Sequence, residues 1–221
     1  DVAAQPTLTL VPRDGTVIPA TIVSTKMGHI FVLDRESGAP LFPIEERPVP
    51  ASGVPGEKAW PTQPFPVLPP PLHPHSLTPE EAWGITEEDR SACREILESL
   101  SYSGIYTPPG LEKTLLYPGL ASGINWGSAA ADPERGILVV NVNRFPDWIK
   151  IFPHSQLEKE SRGLPEEAAA INFQGTPYGM ALNRIFSPSG LPCNPPPWGT
   201  LTAVDLASGE VLWESSLGTT R

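Results

Sequence analysis

Cysteine is scarce in this chain, with two among 221 residues. Neither Cys93 nor Cys193 stands in a Cys-x-x-Cys or His-rich setting, so the spacing offers no zinc site. On the residues alone two readings stay open: a pair of buried thiols, or one disulfide in an oxidising compartment. Histidine is scarce too, and of the 4 only the His73-x-His75 pair has a metal-like spacing. That pair lies in a proline run and reads as surface. Basic residues number 15 against 25 acidic ones, for a net charge of −10 without a basic stripe. Nucleic acid is thereby excluded as a partner, because gripping phosphates takes clustered Lys and Arg. Apolar runs such as Gly136–Val142 are far too short to span a bilayer. No leader-like stretch opens the chain, and Asp1 begins in what reads as mid-domain sequence, the pattern expected of a piece of a longer protein.

What is abundant is proline. There are 29, clustered at Pro61–Pro79 and Pro188–Pro197. Proline donates to neither helix nor sheet ladder, so the chain must contain long irregular connections. A hydrophobic content of 39% with 18% charged residues nevertheless reads as globular.

Two stretches share one spacing. Aligning Val32 on Ala203 places Asp34 on Asp205, Gly38 on Gly209 and Phe42 on Trp213. A small or β-branched residue ends a strand, and the Asp side chain hydrogen-bonds the turn. Gly closes the turn at positive φ, and the aromatic on the returning strand packs under a neighbouring unit. Such a hairpin cannot bury both faces alone and wants copies beside it. The stretch Ala130–Val140 has Asp132 and Gly136 at the same offset without the aromatic, which suggests a different hairpin of a similar unit.

The expected blade segments are about 16–46, 121–152 and 199–216, with insertions at about 47–120 and 153–198. The first insertion carries a helix beginning at Thr86-Glu87-Glu88-Asp89, with Ile96, Leu97 and Leu100 as its apolar face. A shorter helix is expected from Thr78, with Pro79 at its first position. The second insertion reads mostly as loop. The fold class is all-β, with Pro-rich insertions containing short helices, which suits a propeller better than a tight-turned sandwich.

The series Ala203, Asp205, Gly209, Trp213 resembles the tryptophan-docking motif of the quinoprotein dehydrogenases. Further segments resemble their membrane-bound glucose dehydrogenase branch: Gln5-Pro6-Thr7-Leu8, Ser24–Arg35, Pro61–Pro66, Tyr106-Thr107-Pro108-Pro109, Pro177-Tyr178-Gly179 and Leu191–Gly199. The resemblance runs in one register over nearly the whole chain. It implies part of an eight-bladed β-propeller in an oxidoreductase that oxidises a sugar or alcohol with pyrroloquinoline quinone (PQQ). It also implies ubiquinone as electron acceptor, a periplasmic location and an inner-membrane anchor in an N-terminal segment absent here. The catalytic Asp base would lie two residues upstream of Asp1, and most ligands of the calcium or magnesium ion would come from earlier blades. No metal ligand is therefore assigned to this chain, which should be inactive alone. A Cys93–Cys193 disulfide is implied as well, both residues lying in segments that match a periplasmic family.

Lys26 is the foremost site residue. The resemblance places it at the quinone carbonyls, where a cation stabilises negative charge on the reduced cofactor; otherwise it is a solvated surface lysine. Asn125 is placed near the cofactor as an amide donor, against the plainer reading of a turn residue between glycines. Trp126 lines the cofactor pocket or enters the core. Tyr178 and Trp198, in the insertions, either shape substrate access or pack. The competing function is a non-enzymatic propeller used for protein assembly or carbohydrate binding, which would need neither Lys26 nor walls around a cleft.

Overall fold

The computed structural model describes residues 1–165 and 168–218. Three consecutive antiparallel strands come first: β1 (Thr7–Arg13), β2 (Thr16–Ser24) and β3 (Ile30–Asp34). The ribbon of β4 (Ile44–Pro48) and β5 (Thr62–Pro66) follows, then helix α1 (Glu87–Glu98). Next are β6 (Thr114–Leu116), β7 (Ala129–Asp132), β8 (Ile137–Asn143) and β9 (Asp147–Pro153). Helix α2 (Leu157–Arg162), β10 (Ala169–Asn172), β11 (Tyr178–Arg184), β12 (Gly199–Asp205) and β13 (Val211–Ser216) end the series.

Two sheets, β1-β2-β3 and β7-β8-β12-β13, carry the repeat. Strand alternation turns Val11, Ala20 and Ile22 of the first sheet inward and leaves Leu8, Leu10 and Val17 exposed. The inward set, with Ile30 and Val32, packs on Leu138, Val140, Val142 and Val204 of the second sheet and on Ile124 and Leu206 beside it. Two blade-like sheets thus share one core.

Both repeat turns form as expected. Asp34 Oδ1 accepts the N–H groups of Glu36 and Ser37 at 2.8 and 2.9 Å, and Asp205 Oδ1 those of Ala207 and Ser208 at 2.9 and 2.7 Å. Gly38 and Gly209 close the turns at φ +75° and +79°. Asp132 repeats the arrangement with Glu134 and Arg135, in the hairpin between β7 and β8. At Phe42 the aromatic does what the spacing predicts, whereas its counterpart Trp213 is 45% exposed. Phe42 is buried against the turn of the other unit, so close that a Cβ on Gly209 would lie 3.1 Å from its ring.

The insertions build a second core. Strands β6, β9, β11 and β10 form an antiparallel sheet in the order β10-β11-β9-β6, on which α1 packs through Cys93 and Leu97. Thr86 caps α1 by accepting the Asp89 N–H at 3.0 Å, and the Asp89 carboxylate returns to the Thr86 N–H. Cys93 and Cys193 are joined by a disulfide inside this core. The segment from Thr78 makes a single 3-10 turn over Pro79–Glu81.

The expected boundaries shift in three places. The first sheet begins at Thr7, ahead of residue 16. Segment 121–152 divides, because the chain turns at Pro146 and β9 pairs with β6 and β11 instead of continuing the blade. The second insertion, read as loop, supplies two strands of that sheet.

Candidate functional site

β2 ends at Ser24, and the chain reverses through Thr25-Lys26-Met27-Gly28 into β3. The reversal is tightly bonded. Thr25 N–H donates to His29 O and Gly28 N–H to Thr25 O, both at 3.0 Å, and Thr25 Oγ1 accepts the His29 N–H at 3.2 Å. Lys26 sits at its apex with its side chain 14% exposed. Its N–H donates to Asp1 O at 3.0 Å, and its Nζ lies 3.8 Å from Asp1 Oδ2. From the other side Gly123, at φ +68°, lies so near the Lys26 carbonyl that any Cβ would overlap it. Only glycine fits both the conformation and the space. The loop before β7 is thereby laid onto the Lys26 turn, with Ile124 N–H reaching Thr25 O at 3.4 Å.

Lys26, Asn125 and Trp126 are thus brought to one end of the two sheets. Their states differ. The Asn125 amide serves its own loop, donating to Leu120 O at 3.2 Å and accepting the Trp126 N–H at 3.0 Å. Trp126 is 86% exposed within this chain, with its indole face bare there. Tyr178 and Trp198 are engaged in packing: the Tyr178 hydroxyl donates to Pro55 O at 2.9 Å, and Trp198 bonds Asn194 O and stands edge-on to Trp83.

One residue escaped the sequence reading. Asp147 is buried, with Oδ2 accepting the Leu120 N–H at 2.6 Å and Oδ1 unpartnered. Burial pushes its carboxyl above the usual range, while the Leu120 N–H and the charges of Arg184 and Lys26 pull the other way. The signal was present: an acid leading the apolar strand Trp148-Ile149 is out of place unless it bonds something.

The histidines correct a second expectation. His73, read as surface, is 2% exposed, and His75 is half-buried with Nε2 2.8 Å from Met27 O. Beside Met27 opens a cavity of about 320 Å³ whose lining includes Gln63, Tyr102, Tyr106, Thr107 and Tyr117. Aromatic and proline walls with a few polar groups suit a small ligand with both C–H and hydroxyl faces. Among the described residues no group of three or more His, Cys, Asp or Glu is placed to hold a metal ion.

The family described as "PQQ: Glucose/ethanol/alcohol dehydrogenase, beta-propeller domain" matches residues 1–221. The chain belongs to that family. Curated relatives agree along its whole length. It is 37% identical over 224 residues to the "Probable quinate dehydrogenase (quinone)" of Xanthomonas campestris pv. juglandis, covering 99% of this chain and 28% of the relative. It is 36% identical over 225 residues to the "Quinoprotein glucose dehydrogenase" of Escherichia coli (strain K12), with the same coverage on both sides. To the "Glycerol dehydrogenase large subunit" of Gluconobacter thailandicus it is 38% identical over 238 residues, covering 100% of this chain and 32% of that subunit. The chain therefore spans about a third or less of these quinoproteins, and its two blade-like sheets are part of a PQQ β-propeller domain. A lightly exposed ammonium and a bare indole at one end of the sheets are chemically compatible with a planar, anionic quinone.

Proposed function

We propose that the whole protein, of which this chain is a part, is a PQQ-dependent dehydrogenase of a small sugar or alcohol that hands its electrons to ubiquinone. Its propeller would lie in the periplasm, with calcium or magnesium bound by residues outside this chain. The anchor would be an N-terminal segment in the inner membrane; within the described residues no helix is long and apolar enough to cross one. The relatives' names point to glucose, quinate and glycerol, all of which carry carbinol C–H groups among hydroxyls. The observation that carries the reading is the Asp1–Lys26 juxtaposition. If the base lies two residues before Asp1, that bond ties its segment to the lysine. PQQ supplies the two-electron chemistry when bound. Lys26 places a positive charge where negative charge would grow, Trp126 gives the ring a surface, and Asn125 holds the loop that presents Trp126.

The test is made in the whole protein supplied with PQQ and a divalent cation. Lys26→Ala is expected to cut sugar- or alcohol-dependent dye reduction by about 10²–10³, the usual cost of losing one such electrostatic group. PQQ affinity should weaken too, with melting unchanged. Near-normal turnover would return Lys26 to the surface lysines. Residues 1–221 alone should reduce no dye, and turnover by them would show that the active site lies elsewhere.

A further inference from the structure

We propose that His75 is the positioning residue for Lys26, acting from the far side of the first insertion through the backbone of the Lys26-Met27-Gly28 turn. The inference rests on the reading of Lys26 as the cofactor's cation. Carbonyl oxygens only accept, so the 2.8 Å approach of His75 Nε2 to Met27 O fixes the proton on Nε2 and makes the imidazole the donor. The bond falls one residue from Lys26. His75 is itself held at two points: its carbonyl accepts the Tyr102 hydroxyl at 2.9 Å, and its ring stands edge-on to the His29 ring at 4.8 Å between centroids. Two residues earlier the same segment grips the turn again. Gly28 lies against the His73 backbone, and Leu72 N–H donates to Gly28 O at 3.0 Å.

The turn is therefore held on three sides: Asp1 O accepts the Lys26 N–H, Gly123 packs against the Lys26 carbonyl, and the Leu72–His75 segment donates to the Met27 and Gly28 carbonyls. A flexible four-carbon side chain is aimed only as well as its backbone is fixed, and a loosely held cation loses the preorganisation that gives it its effect. A general structural role would touch the whole fold; the role inferred here is confined to one lysine.

The experiment compares His75→Met with His75→Gln in the whole protein. Gln can place an amide N–H near the position of Nε2, while Met has similar length and no donor. The apo proteins are acetylated briefly, and each lysine is read by mass spectrometry. Lys150, 25% exposed and paired with Glu160, serves as the internal reference for loosening elsewhere. PQQ affinity is then read by absorbance titration. His75→Met should raise Lys26 labelling several-fold while Lys150 stays unchanged. Its PQQ affinity should fall about tenfold, the scale of one lost buried hydrogen bond. His75→Gln should restore most of both. Unchanged Lys26 labelling would overturn the inference, and so would a joint rise at Lys26 and Lys150, which would make His75 a support of the fold at large. Lys26→Ala keeps the two readings apart. If that variant binds PQQ normally, the cofactor role of Lys26 fails, whatever the labelling says about His75.

Discussion

His29 and His73 are bases held where protons do not easily reach them. Both are buried with Nε2 unpartnered. Burial is the main cause lowering the His29 imidazole to about 4, and the neighbouring His75 and Arg47 add to it. Burial also takes His73 to about 3, against the opposing bond with the Pro74 carbonyl and with help from Arg144. Unfolded, each would titrate near 6.5. Between that value and the folded one the unfolded chain binds more protons, so stability falls as the pH falls. Above about 6.5 both rings are neutral in either state and their contribution is complete. By pH 4, His29 alone should have withdrawn on the order of 3 kcal/mol, since each tenfold change in proton affinity is worth about 1.4 kcal/mol. Denaturant titrations of the whole protein should show stability dropping between pH 6.5 and 4. A flat profile there would mean that these rings are hydrated. The Lys26 turn, packed on both rings' segments, should be among the first parts to loosen.

Helix α1 makes a different kind of commitment. Its N-terminus is fixed by Asp89, where burial opposes ionisation but hydrogen bonds from Ser189 and Thr86 hold the carboxyl at about 2. One turn later Cys93 bonds Cys193 across a sequence separation of 100. Both links join the first insertion to the second. In the loop-entropy account a crosslink of that span contributes about 4–5 kcal/mol. Reduction, or a Cys93→Ser/Cys193→Ser pair, should lower the unfolding free energy by about 2–5 kcal/mol. Protease cuts should then concentrate near α1 and β6 while the blade-like sheets resist. Uniform digestion would show that the two cores unfold as one. At this scale the sequence was readable where a structure is local. The Asp-to-Gly turns and the Thr86 cap each need only a handful of consecutive residues. The strand β9 was not readable, because Asp-Trp-Ile-Lys-Ile-Phe follows β8 with the same look, and only partners far along the chain decide which sheet it joins. His73 misled for a similar reason: nothing in a proline run announces that it will cross a glycine. Lys26 and Asn125 were singled out as candidates because the resemblance marked their places, whereas Asp147 had no motif around it.

Across the whole molecule the Phe42 contact has a direction. The aromatic of the earlier unit enters the turn of the later one, so each unit carries a plug on one side and a socket on the other. Among the described residues one plug is seated, Phe42 at Gly209. One socket stands empty, since nothing lies within 4 Å of a Cβ on Gly38, and one plug stands free, since Trp213 is 45% exposed beside exposed Leu212. Free plug and empty socket lie on different sheets, so two copies can join without blocking their outer ends. Such heterologous joints close into rings where the rotation allows and otherwise run on as open chains. Residues 1–221 expressed alone should therefore associate head to tail, with sedimentation shifting upward as concentration rises. Trp213→Ser should return the protein to a monomer at unchanged circular dichroism. A wild-type monomer at all concentrations would mean that the turn and the aromatic need the rest of a blade to recognise each other. The rotation across each joint then decides how many units close a ring, and the covalent chain fixes only how many of them arrive already joined.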